Sequence, residues 1–567
     1  MRWIRFIHTL LYLKPVQIWS RIFFHVKKTV FGFIIIDLVK RQKAVPELPT
    51  FNLIPKPHAP YAEKQNLERK QFVFLNQFAN YDTDIRWNDP GKSKLWRYNL
   101  HYFDYLLPLL QEQSAKNYDR GRRIIEDWIK NNPIGHGDGW EPYPISVRVC
   151  NWIHFYAAFQ NYIGKDPSFK EILLVSLFRQ IAYLNYFFEW HLQANHFWVN
   201  AKALLFSGIF FGHKYWIEKG VKIVQQQLDE QVLNDGGHYE RSPMYHALFL
   251  LDVIDLLNGI RASKIKIENL SRLNNILHHK ALSMWKWLNH LTHPDGEIAL
   301  LGDSVFNLAP QPGKIGEYLR AVLPTTIENT GKNEIAALKE SGYFVVRENE
   351  LYLVIDGGPL GVIYQPGHAH CDFLSYELSY KSRRFIVDSG IGEYLPTELR
   401  LKARSIYSHN TLVINQMEQA EIWHAFRMGK RIIPQNVQFA SSPFIKFEGA
   451  YENFMNKESG YYHKRSILFQ NTKEINIQDY FSPAEYRQAE DLIHLHPQCR
   501  AKIQNGAVIV ERDNAVLNIL FNSEEIQAEL RPWFYAPEFG IIQQNQMIVL
   551  QPAHKNINKI EYTIKWT

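Results

Sequence analysis

Cysteine is scarce in this chain. Cys150, Cys371 and Cys499 are the whole supply in 567 residues, too few and too scattered for a disulfide framework, so the fold must rest on apolar cores. Long apolar runs are missing too: Phe31 to Ile36 is closed by Asp37 and Lys40, far short of the roughly 20 residues that cross a bilayer. Lys14-Pro15 interrupts the first apolar stretch and no small-residue cleavage site follows, so no cleavable leader is expected. There is no phosphate-binding loop, no glycine-rich strand-to-helix fingerprint and no nucleic-acid-binding motif or concentrated basic patch. Nucleotide cofactors and nucleic-acid partners are therefore not expected. No repeat of fixed length is visible, which argues against a regular solenoid.

Aromatic residues, by contrast, make up 14% of the chain, with 15 Trp and 30 Tyr. Flat rings with polar tips suit the apolar faces of sugars, although an aromatic-rich core would give the same count. The net charge of +7, with Lys and Arg spread along the chain, weakly favours an acidic partner. The length exceeds what one core usually serves, so at least two domains are expected.

Hydrophobic periodicity divides the chain. Residues 1–70 mix Arg2, Arg5, Lys14, Arg21, Lys27 and Lys28 with Leu, Ile, Phe and Trp. This is an amphipathic segment and linker that would rest on a membrane or on the domain body, with the body expected. Without a cleavable leader, a cytoplasmic or inner-membrane-associated protein is expected, a periplasmic one being the alternative. From about Leu95 to Leu323 the apolar spacing is helical, as in the Ile124, Ile125, Trp128, Ile129 stripe, and turn residues such as Asn131 to Gly135 separate the stretches. Past about Gly342 the period becomes two, in Tyr343 to Val346, Leu351 to Ile355, Leu374 to Tyr380 and Phe385 to Val387, and short strands continue to Ile560–Ile564. Packed helical hairpins over 71–335 and an antiparallel β-sandwich over 336–567 are predicted.

Four segments carry candidate chemistry. Asn195 and His196 lie at a probable helix start, where Asn is either a simple cap or a donor offered to an anion at the positive end of the helix dipole. Asp235 to His246 crowds titratable groups before an apolar helix; Tyr245 and Arg241 stand out, while Glu240 could simply pair with Arg241. In Gly367 to Asp372 the His368-Ala369-His370 pair sits on an extended segment that projects both rings to one face, and Asp388 and His409 could add ligands for a divalent ion. Cys371 reads as a small filler. Trp140, Tyr143 and Arg148 suit a cleft that stacks sugars and contacts an anion, or equally inter-helix packing; Trp198 is a further candidate substrate contact.

Taken together, these strings resemble the heparinase II/III family of polysaccharide lyases: "ANH" at 194–196, "DGGHYERSPMYH" at 235–246, "GHAHCD" at 367–372, "IVDSG" at 386–390, "SHNT" at 408–411 and "WHAFR" at 423–427. The resemblance implies an incomplete (α/α) toroid followed by an antiparallel β-sandwich, with the active site between them. It implies Tyr245 and His368 as an acid/base pair, and Asn195 helped by His196 as the group that neutralises a substrate carboxylate. It also implies His370, Asp388 and His409 as ligands of a zinc-like ion that braces the His368 loop. The expected reaction is β-elimination from an acidic, uronate-containing polysaccharide. Two rivals remain: a glycoside hydrolase using Asp235 and Glu240, and a noncatalytic glycan-binding protein of polymer export. The sequence carries no signal for oligomeric state.

Overall fold

The computed structural model describes residues 2–42, 48, 51–324, 331, 333–453, 455, 460–471, 473–482 and 488–567. Three N-terminal helices, α1 (Arg2–Tyr12), α2 (Pro15–Val30) and α3 (Gly32–Lys40), precede a β1–β2 hairpin (Gln71–Phe74, Gln77–Asn80). The helical domain runs through α4 (Lys94–Tyr102), α5 (Ala115–Asn131), α6 (Pro142–Ile163), α7 (Pro167–Tyr186), α8 (Ala194–Phe211), α9 (Lys214–Gln231), α10 (Pro243–Ala262), α11 (Glu268–His290) and α12 (Pro312–Val322). Helices α4, α6, α8, α10 and α12 pack in succession as an inner ring, and α5, α7, α9 and α11 lie outside them.

The sequence explains that sorting. α8 and α10 are apolar on nearly every face and buried along their length, as helices enclosed on all sides must be. α9 and α11 keep polar outer faces. Pro243–Ala262 is long and apolar enough to cross a membrane but is largely buried inside the domain, where the same composition makes a core helix.

Among the described residues every strand pair of the C-terminal half is antiparallel. Strands β3 (Glu334–Leu338), β4 (Tyr343–Glu348), β5 (Leu351–Asp356), β6 (Tyr376–Tyr380) and β7 (Arg383–Ile386) form one sheet in chain order. Helix α13 (Glu398–Arg404) follows, then β8 (Leu412–Ile414), a small β9–β10 ribbon (Ala420–His424, Arg427–Arg431), β11 (Gln435–Ala440), β12 (Lys446–Asn453), β13 (Tyr461–Asn471), β14 (Glu474–Ser482), β15 (Ala489–His494), β16 (Arg500–Gln504), β17 (Ala507–Arg512), β18 (Ala515–Phe521), β19 (Ile526–Glu538), β20 (Ile541–Pro552) and β21 (Lys559–Trp566). An eight-stranded sheet, β11-β12-β13-β14-β21-β18-β17-β16, shares one apolar core with the β3–β7 sheet and with a β19-β20-β15-β8 sheet.

Strands β4 and β5 are buried on both faces. Phe344, Val346, Leu353 and Ile355 point into the sandwich core, while Tyr343, Val345, Tyr352 and Val354 pack on Trp287, Leu291, Ala299 and Leu301 of the helical domain. That is why these strands are continuously apolar instead of alternating. The polar 329–333 stretch lies just before β3; residues 325–330 and 332 are outside the described residues.

Candidate active site

A cleft of about 1060 Å³ lies between the two domains. Its toroid wall is built from first turns of inner-ring helices: Tyr143 opens α6, Asn195 and His196 open α8, and Tyr245 opens α10. Each first turn presents the positive end of a helix dipole, although in α10 the Met244 and Tyr245 N–H groups are already taken by Ser304 and Ser242 Oγ. An anion is thus favoured in the cleft without a cluster of Lys or Arg.

Local backbone geometry sets these side chains in place. Gln193 and Ala194 both adopt left-handed φ values of +57° and +48°, a conformation costing non-glycine residues of order 1 kcal/mol each. Gln193 is the N-cap, so Asn195 lies inside the first turn and its amide is free for other work. It donates to the Tyr143 hydroxyl at 3.2 Å. Beside it, the His196 ring lies 4.6 Å from that of Tyr143, and His196 Nδ1 is 3.3 Å from both Glu189 oxygens. Burial works against a charge on His196, but the Glu189 carboxylate outweighs it and raises the imidazole pKa. α10 is entered the same way, with Arg241 at φ +59°, Ser242 Oγ capping the Tyr245 N–H at 3.2 Å, and Pro243 in the first turn.

The facing wall comes from the sandwich. The rings of Tyr245 and His368 are in contact, 4.0 Å between centroids, and the Tyr245 hydroxyl lies 3.1 Å from that of Tyr394. Burial, then Tyr394 and Asp303, push the Tyr245 pKa well above that of an ordinary phenol. Behind this pair sits Asp303, fully buried. Its Oδ2 is 2.8 Å from His368 Nδ1 and its Oδ1 is 2.8 Å from His370 Nε2, while Arg400 donates to the two oxygens at 2.5 and 2.7 Å. Burial opposes the Asp303 charge, but Arg400 and the two imidazoles hold its pKa well below the usual range. With Nδ1 committed to Asp303, His368 keeps Nε2 for the cleft. Gly302, at φ +57°, lets the chain approach the His368 carbonyl, which a Cβ there would meet at 3.2 Å.

His370 Nδ1 and His409 Nε2 are buried without a hydrogen-bond partner among the described residues, and ligating atoms of His370, Asp372 and His409 lie within 4.8 Å of one another. Two unpartnered imidazole nitrogens with a carboxylate this close fit a divalent ion. The carboxylate in this cluster is Asp372, and the expected Asp388 lies directly beside it. Asp388 Oδ2 is engaged by His409 Nδ1 at 2.6 Å and its Oδ1 by the Gly390 N–H at 3.0 Å, so Asp388 orients His409 from behind and Asp372 completes the cluster. Burial lowers the His370 pKa despite the opposing Asp303 charge, which favours the neutral form that ligates.

Several expected substrate contacts are elsewhere. Arg148 is buried in the toroid, where it donates to Gln180, the His101 carbonyl and the Gly139 carbonyl and stacks 3.8 Å over Trp128. Trp140 donates to the Asn132 carbonyl, and Trp198 stacks on Phe249 at 4.0 Å; both are buried. Arg241 clasps the domains together through the Ser341, Tyr239 and Glu340 carbonyls. Glu240 is buried just behind the cleft, where burial raises its pKa and His368 and His196 lower it. Asp235 caps the Ser341 N–H at 2.7 Å, so Asp235 and Glu240 do not face each other across the cleft as a hydrolase pair would. Of the expected contacts Tyr143 does line the cleft, together with Tyr98 and Tyr102. Sequence reasoning missed Asp303, Arg400, Tyr394 and the role of Asp372. A signal for Asp303 was present: a lone carboxylate inside the apolar run Ile298 to Phe306 is costly unless paired.

The "Heparinase II/III N-terminus" family profile matches residues 58–310, and "Heparinase II/III-like, C-terminal" matches 330–567. The chain belongs to the heparinase II/III family. Heparin-sulfate lyase of Pedobacter heparinus is 24% identical over 372 residues, 60% of this chain and 55% of that protein, so the chain spans a little over half the length of this curated relative. FtsZ-localized protein C of Caulobacter vibrioides is 22% identical over 485 residues, 81% of this chain and 79% of that protein. Among solved structures, heparinase III superposes with a TM-score of 0.71 at 15% identity, covering 97% of this chain and 91% of the other, which establishes the incomplete α-toroid and β-sandwich architecture of this heparinase II/III member.

Proposed function

We propose that this heparinase II/III family member is a polysaccharide lyase that cleaves an acidic, uronate-containing glycan by β-elimination. The contact of Tyr245 with His368 across the domain boundary carries the reading, because one pyranose can then touch both. Asn195 and imidazolium His196 grip the uronate carboxylate and stabilise charge that builds there as C5 loses its proton. His368, with Nδ1–H donated to Asp303, takes that proton on Nε2. Tyr245, kept protonated by its buried setting, delivers its proton to O4 as the C4–O4 bond breaks and the C4–C5 double bond forms.

A zinc-like ion is proposed on His370, Asp372 and His409. When bound it fixes the Gly367 to Asp372 segment; it is not required at the sugar. The relatives named as acting on heparin sulfate favour a glycosaminoglycan-type substrate. Incubation with a panel of uronate polymers tests the reading. The expected product absorbs near about 230 nm through its new double bond, and Tyr245→Phe and His368→Ala abolish it. Glycan binding without turnover, unchanged in both variants, would instead identify a noncatalytic glycan-binding protein.

A further inference from the structure

The first two N-terminal helices are assembled largely inside out. In α1 the side chains turned toward the body are polar: Thr9 is buried and accepts from Trp423 Nε1 at 3.2 Å, and His8 meets Glu421 at 2.8 Å. In α2, Gln17 is buried beside the Tyr364 carbonyl, Lys14 pairs with Glu230, and Lys27 donates to the Tyr186 carbonyl at 2.7 Å. Most apolar side chains of α1 and α2 face outward, whereas α3 anchors the segment by burying Ile35 and Val39 in the core, with Phe24 of α2 packed against that same core. Trp3 is 78% exposed, Leu11 77%, Trp19 70% and Phe23 67%, and Phe33 of α3 reaches 84%. A helix on the surface of a water-soluble domain shows the opposite arrangement. An apolar face this large marks a surface that is covered in use.

Charge identifies the cover. Residues 1–42 hold eight Lys and Arg against the single Asp37, an excess of seven that equals the net charge of the entire chain, leaving the remainder balanced. Arg21, Lys28 and Lys40 are exposed beside the apolar face with no acidic ion-pair partner among the described residues. Large exposed rings and aliphatics interleaved with unpaired cations fit the acyl-headgroup boundary of an anionic bilayer. A second protein copy would bring the same excess of positive charge against itself.

We propose that α1–α3 form a docking face for an anionic phospholipid surface. Since Phe6, Leu10, Ile18 and Ile22 of the same helices also line the cleft that holds Tyr245 and His368, docking places the cleft mouth at the bilayer. The inference stands on the N-terminal helices and does not depend on the proposed reaction.

Co-sedimentation of the full chain with phosphatidylcholine vesicles, with or without phosphatidylglycerol, tests it. Wild-type protein should sediment with the anionic vesicles and be released by salt. The triple variant Trp3→Asp, Trp19→Asp, Phe23→Asp should lose binding about tenfold or more, and Lys28→Glu with Lys40→Glu should weaken it several-fold. Because the changed residues are exposed, circular dichroism should be unaltered. In wild-type protein, lipids brominated on their acyl chains should quench part of the tryptophan emission through Trp3 and Trp19. Absence of both sedimentation and quenching overturns the proposal. So does a two-copy species in sedimentation velocity that the triple variant reduces to one copy, with no vesicle binding.

Discussion

Replacing Asp303 with Asn conserves shape and removes one charge at the point where two functions meet. The carboxylate accepts from Arg400 on both oxygens, from His368 on one and from His370 on the other. An amide offers one oxygen and turns an NH2 group toward two donors, leaving the buried Arg400 uncompensated. Breaking a buried ion pair in this way costs about 3–5 kcal/mol. Asp303 is fully buried, so solvent does not discount that figure. Denaturant unfolding at neutral pH should show this loss. Because the folded-state pKa is depressed, the stabilisation is complete above the unfolded carboxylate pKa of about 3.9 and disappears as pH falls through the folded value. Wild type and variant should therefore converge in stability on the acid side. Turnover should fall by about 10²–10⁴ because His368 loses the acceptor that fixes Nε2 as its base. Equal stability and equal turnover at neutral pH would refute this account of the network.

Further tests follow from the same geometry. Tyr245→Phe should lower kcat about 10²–10⁴-fold with little change in KM, measured as unsaturated product. A chelator should lower the unfolding midpoint and added zinc should restore it, while Asp388→Asn should weaken zinc binding about 10–100-fold by releasing His409, as read by competition with a chromogenic chelator. Since Glu189 raises the His196 pKa, the imidazolium is present below that value and lost as pH rises through it; Glu189→Gln should move the alkaline rise in KM to lower pH. Arg148→Ala should cost about 2–4 kcal/mol of stability with KM unchanged, as expected of a buried packing residue.

The domain architecture was legible because it rests on period. The change from helical spacing to short β-rich runs near Gly342 is a property of consecutive residues, and β4 to β7 lie where those runs indicate, even though β4 and β5 prove continuously apolar and not alternating. The loop strings around Asn195, Tyr245 and His368 were legible for their unusual density of polar groups. Direction was not. Trp140, Trp198 and Arg148 have the chemistry of sugar contacts, and only their place on or just before inner-ring helices turns them into packed core. The sequence offered Asp388 as the carboxylate ligand; that Asp372 also sits beside His370 and His409, while Asp388 is held by His409 Nδ1, is visible only in three dimensions. Asp303 contacts residues 65 and 67 positions away, a relation that no local pattern encodes.

The two-sided burial of β4 and β5 has a practical consequence. Severing the chain before Glu334 would strip Trp287 and Leu291 of their cover and bare Tyr352 and Val354 on the other fragment, so each half expressed separately should aggregate. Neither half is a portable module, and swapping sandwiches between relatives should succeed only when the matching toroid surface travels with them.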